Sequence, residues 1–201
     1  MLDKKLPLIE LQINPEDNSF VSAIALVENP AIESDFIAFS TAQEYFSVND
    51  EKKELLGLAL IPDKPIYRNS PETGEYACVF SKTTIRQISQ VFAKKGLFSN
   101  TNIEHTLIPA DSYIFQSYIT DEAKNINAPN GIKAPDGSWV IGVKVEDEAV
   151  WNNIKAGKIK GFSVEGIFKL LDTNKSVSLT KSDEPETLIN DFLDSLKALI
   201  N

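Results

Sequence analysis

Runs of roughly five to eight extended, apolar-rich residues, each cut short by a Pro, Gly or Asn turn signal, recur along the chain and demand a sheet-rich fold. Leu6–Ile13 and Phe20–Val27 flank the turn residues Asn14 to Asn18 and read as strands that could pair with each other. Phe36–Phe39 is a short strand candidate, and the polar stretch Thr41–Lys53 reads as a surface connection. Leu55–Ile61 is apolar throughout and ends at Pro62-Asp63, as a buried strand or barrel element would. Tyr67-Arg68, the turn Asn69–Gly74 and Tyr76–Phe80 make a hairpin signature.

Helical spacing appears at Ile85, Ile88, Val91 and Phe92, with Thr83 as a candidate cap and Lys94, Lys95 and Gly96 suited to the C-terminal end. Asn102–Thr106 reads as extended, Tyr113–Ile119 as strand, Asn125–Gly137 as loop and Trp139–Val145 as strand. Asp147–Ala156 reads as a short helix closed by Gly157, and Gly161–Leu171 as one further strand. The total is roughly eight to nine strands and two to three helices in mixed order, an α+β domain with a mainly antiparallel, barrel-like sheet and flanking helices. The expected division is a domain over 1–173, then a polar linker and an amphipathic helix over 174–201. That helix is marked by Leu188, Ile189, Phe192, Leu193, Leu196, Leu199 and Ile200, and could dock on its own domain or serve as a handle for a partner.

The net charge of -9 argues against nucleic-acid binding, since a phosphate backbone attracts clustered Lys and Arg. The first residues lack the apolar stretch of a secretory signal and no run would span a bilayer, so the expectation is a cytosolic protein. One cysteine, Cys78, and one histidine, His105, count against an internal disulfide and against zinc sites of the usual ligand types. Any imidazole base must be His105.

Ser163 stands out because Gly161 and Gly166 bracket it, and strand alternation puts Gly161, Ser163 and Glu165 on one face, where the glycine would leave room for substrate. Phe162, Val164 and Phe168 would point into a core. The segment is not a Gly-x-Ser-x-Gly elbow, and since glycine-bracketed serines are common, the local pattern by itself favours an ordinary strand serine. In the same way, alternation puts His105 on a partly buried face with Ile103, where a histidine is more often a satisfied structural residue than a base. Cys78, in Tyr76–Phe80, has the setting of a buried strand residue rather than of a nucleophile.

The stretches Ala25–Ala31, Asn102–Thr106 and Trp139–Phe168, above all Ile154-Lys155-Ala156-Gly157 and Gly161–Gly166, resemble the phage prohead, or capsid-maturation, serine proteases, which are similar in fold to the herpesvirus assemblin proteases. The resemblance covers roughly residues 20 to 170. It implies an assemblin-like fold, Ser163 as nucleophile and His105 as general base. Assemblin enzymes orient the base with a second histidine, which this chain lacks. In phage relatives an acidic residue is expected instead: Glu165, on the face of Ser163, with Glu104 and Asp172 as rivals. Oxyanion donors would come from a segment around 175 to 179. The resemblance further implies cleavage of scaffold, capsid and portal-associated proteins and of the enzyme's own ends, inside the assembling prohead in the host cytoplasm. The mechanism it implies needs no cofactor or metal, and family analogy points to a homodimer; charge and hydropathy lead to no expected nucleic-acid or membrane partner.

Overall fold

The computed structural model describes residues 5–30, 37–38, 52–70, 73–128 and 130–178. The expected C-terminal helix and most of the polar connection before Lys53 lie outside the described residues. The described residues divide into two compact units, one of those within 5–10, 65–79 and 170–178, the other of those within 11–64 and 80–169.

The first unit carries a four-stranded sheet of β1 (Lys5–Gln12), β5 (Ile66–Ser70), β6 (Gly74–Val79) and β11 (Lys169–Ser178), in the order β11-β1-β6-β5. β5 and β6 form the expected hairpin, with Tyr67 opposite Ala77. β1 runs parallel to β6, with Ile9 opposite Cys78. The expected pairing of the first two strands therefore does not occur. The turn at Pro15–Asp17, capped by the Asn14 side chain on the Glu16 N–H, leads from β1 to a strand of another sheet.

The second unit holds two sheets. One has the order β10-β2-β7, from β2 (Val21–Val27), β7 (Thr101–Ile103) and β10 (Gly161–Gly166); the other has the order β3-β4-β9-β8, from β3 (Ile37–Ala38), β4 (Glu54–Leu60), β8 (Ser112–Ile119) and β9 (Trp139–Val145). Among the described residues these sheets stay open, so the expected barrel is not formed, although the α+β class and the predominance of antiparallel pairs hold. The strand expected over Gly161–Leu171 breaks at Ile167-Phe168, where Ile167 N–H donates to Phe20 carbonyl. β10 stays in the three-stranded sheet while β11 joins the first unit's. The boundary expected after residue 173 falls inside β11.

Helix α1 (Lys82–Lys94) is capped by Ser81 rather than Thr83, because the Ser81 hydroxyl accepts from the Thr84 N–H. It buries Ile85, Ile88 and Phe92, and Phe92 meets Trp139 edge to face at 5.5 Å. Each such side chain removed from water contributes about 2 kcal/mol. Helix α2 (Glu148–Lys155) is capped by Asp147 on the Val150 N–H and buries Trp151 and Ile154. It ends at Gly157, whose φ of 69° suits a residue without Cβ. The two helices thus fix the short connections that lead into β7 and β10.

Candidate active site

The site is built on the three-stranded sheet. β2 lies in the middle, antiparallel to β10 and parallel to β7. Ser163 on β10 is opposite Ala25, and Ala25 is opposite Asn102 on β7, so the three form one row across the sheet. Glu165, opposite Ala23, shares the face of Ser163 by alternation. The two positions of β2 beneath these polar groups are alanines, which leave space above the middle strand for longer side chains to meet. Across it the Asn102 amide donates from Nδ2 to Glu165 Oε2 at 2.8 Å. On the other face Phe162 is buried, and Phe168, beyond the strand end, packs edge to face on Phe80 at 5.2 Å. Val164 is half-buried.

His105 does not continue the strand. β7 ends at Ile103, and Glu104 and His105 take φ of 51° and 55°, with Thr106 N–H donating to Ile103 carbonyl at 2.9 Å. That is a type I′ turn, whose central pair is usually Asn-Gly because both residues need positive φ. Expected alternation of Ile103 and His105 is thereby overturned: the imidazole stands on the turn rather than beside Ile103 on a strand face, and it is 42% exposed. The turn carries the ring back toward β10, where His105 Nδ1 lies 3.5 Å from Glu165 Oε2. The distance exceeds an ordinary N–H···O bond, and both side chains are a little over two-fifths exposed.

The structure thus brings His105, Glu165 and Asn102 together on the sheet that carries Ser163. Ser163 is 7% exposed, and no hydrogen bond joins it to His105 among the described residues. Of the rival carboxylates, Glu104 turns away from the imidazole and accepts from the Glu28 N–H at 2.6 Å. Asp172 lies on β11 of the first unit and accepts from the Asn174 N–H at 2.8 Å. The segment considered for oxyanion donors is also on β11 as far as Ser178, and Leu179 is outside the described residues.

Gly161 is buried and does not stand as open surface room for substrate. Gly166 has a different necessity. A Cβ there would run into the Phe20 carbonyl and come within 2.8 Å of Val21 Cα, at the irregularity where β10 leaves β2. Cys78 is fully buried in β6, and burial pushes its thiol up, away from the thiolate a nucleophile needs. Among the described residues no cluster of His, Cys, Asp and Glu has the makings of a metal site.

Asn102 was not singled out by sequence reasoning. The signal was its place on the strand beside His105, but its partner is a carboxylate 63 residues away, which only the sheet pairing brings near.

Residues 45–172, more than half of the chain, match the family model described as "Putative phage serine protease XkdF". The chain belongs to this phage serine protease family. The matched stretch contains His105, Ser163 and Glu165. The chain is also 26% identical over 159 residues to the phage-like element PBSX protein XkdF of Bacillus subtilis (strain 168), an alignment covering 74% of the chain and 53% of that relative. The chain therefore spans about half the length of the curated relative it matches. No solved structure matches it.

Proposed function

We propose that the chain is a serine endopeptidase of phage prohead maturation, with Ser163 as nucleophile, His105 as general base and Glu165 as the carboxylate that orients the base. The observation that carries this reading is the approach of His105 Nδ1 to Glu165 Oε2 at 3.5 Å, two strand positions from Ser163 on the same face. In a Ser-His-carboxylate arrangement the acid meets Nδ1, which leaves Nε2 for the serine. Membership of a phage serine protease family supports the reaction class.

In this mechanism His105 Nε2 accepts the Ser163 proton as Oγ attacks the scissile carbonyl, and the imidazolium then protonates the departing amine. A water activated by His105 hydrolyses the resulting ester and frees Ser163. Substrate seating closes the remaining gap between serine and imidazole, since catalytic hydrogen bonds are often long before substrate binds. Exposed Leu107 and Ile108, which follow the turn that carries His105, form an apolar lip for the substrate chain. The substrates in this reading are scaffold, capsid and portal-associated segments and the protein's own ends, cut inside the assembling prohead in the host cytoplasm. Co-expression with those proteins, followed by mass spectrometry, tests it: processing stops in Ser163→Ala, and unchanged processing sinks the assignment.

A second reading has its own support in the low exposure of Ser163 and its lack of a hydrogen bond to His105. This is a non-catalytic capsid-assembly protein on the same fold. Fluorophosphonate labelling separates the two, because phosphonylation of Ser163 requires an activated, reachable hydroxyl.

A further inference from the structure

The Asn102 amide makes one strong hydrogen bond, from Nδ2 to Glu165 Oε2 at 2.8 Å, and its Oδ1 is buried without a partner. The reverse orientation of the amide would set two acceptor oxygens against each other, so the carboxylate dictates which way the amide lies. A buried carbonyl left unpaired is destabilising, a penalty that an apolar residue at this position would avoid. The neighbouring positions of the same face, Ala23 and Ala25, are apolar. Moreover, the oxygen that Asn102 holds is the one that faces His105 Nδ1.

We propose that Asn102 is a positioning residue that acts through Glu165, an inference that rests on the reading of His105 and Ser163 as base and nucleophile. Its Nδ2 donor fixes Oε2 opposite Nδ1, so the neutral imidazole carries its proton on Nδ1 and presents an unprotonated Nε2 toward the serine. Which ring nitrogen holds the proton is set by the hydrogen bond the other groups offer it. Without Asn102, the half-exposed Glu165 side chain is free to leave the imidazole for water.

His105 is the only histidine, so ¹⁵N NMR of the full chain reads one pair of ring nitrogens. In alkaline buffer, where an imidazole is neutral, the wild-type ring is the Nδ1–H tautomer. Asn102→Leu, which keeps the size and removes the donor, shifts the ring toward Nε2–H, as Glu165→Gln does. Combining the two substitutions adds nothing to Glu165→Gln alone, the signature of residues that act in series. The inference is overturned by a wild-type ring already in the Nε2–H form, by wild-type ring shifts in Asn102→Leu, or by effects that add in full. Asn102→Ala provides the same readout if the leucine does not fold. Fluorophosphonate labelling of the same proteins is expected to fall about tenfold in Asn102→Leu, a loss of about 1.4 kcal/mol in transition-state stabilisation. An unreactive Ser163 in the wild type sinks the protease reading, while the tautomer comparison still decides the role of Asn102.

Discussion

The Glu104 carboxylate accepts a hydrogen bond from the backbone N–H of Glu28, 76 residues away in sequence, at 2.6 Å. It anchors the β7 turn to the end of β2, and with it the backbone that presents His105. A second bond, Glu104 N–H to Leu26 carbonyl at 3.2 Å, ties the same turn down.

Glu104→Ala loses the side-chain anchor but keeps an unfavourable positive φ, so it is expected to lower stability by about 1 kcal/mol. Glu104→Gly loses the same bond and relieves the backbone, so its loss is smaller. Urea unfolding midpoints compare the two. An alanine variant as stable as the wild type, or a glycine variant less stable than the alanine, counts against the anchored-turn account.

Gly166→Ala is expected to cost about 2–3 kcal/mol, because its Cβ meets backbone atoms of Phe20 and Val21 that cannot rotate aside. The strands must part at the bulge next to Glu165, so fluorophosphonate reactivity falls along with the melting temperature. Gly96→Ala is the control: it has positive φ but open space around it, and is expected to leave reactivity unchanged.

The alternation that puts Ser163 and Glu165 on one face was legible in the sequence because it is a property of a single strand, and the chain's one imidazole named itself. The approach of His105 was not legible. Glu-His carries none of the Asn-Gly chemistry that announces a type I′ turn, and its positive φ values are held by a long-range bond to Glu28. Ile167-Phe168 likewise looked like continuous strand, since the break there depends on the Phe20 carbonyl. β1 failed to pair with its sequence neighbour because its partners, β6 and β11, lie far along the chain. What local period and turn residues determine could be read; what pairing determines could not.

Lys82 at the start of α1 pairs with Asp136 at 2.9 Å, and Asp136 also accepts from the Glu122 N–H at 3.0 Å. The Lys82 hydrogen bond and the Glu122 N–H hold the Asp136 carboxyl below its ordinary range, and the same Asp136 bond raises Lys82. A lowered carboxyl contributes stability above the unfolded pKa of about 3.9 that is lost as pH falls through its folded value. A raised lysine contributes below about 10.4 and loses that as pH climbs through its folded value. Asp136→Asn is therefore expected to flatten the fall in melting temperature between about pH 5 and 2. The difference shrinks in 1 M salt, because the pair is solvent-exposed. An identical acid limb in the variant would count against this pair as a source of acid sensitivity.

Ala25 is completely buried and lies between Ser163 and Asn102 in the row across β10, β2 and β7. Ala25→Val places two further methyl groups on the face where these side chains sit. Overpacking of this kind costs about 1–3 kcal/mol, while the β-branched residue suits a central strand, so the chain is expected to fold with a reduced melting temperature. The added bulk pushes Ser163 and Asn102 apart and disturbs the path from Asn102 to Glu165. Fluorophosphonate labelling is therefore expected to fall by more than stability alone dictates when measured well below the melting transition. Ala25→Gly removes bulk instead and keeps the row open, so it should lose stability yet retain most labelling. If both variants label in proportion to their folded fraction, the spacing across Ala25 does not matter to the site.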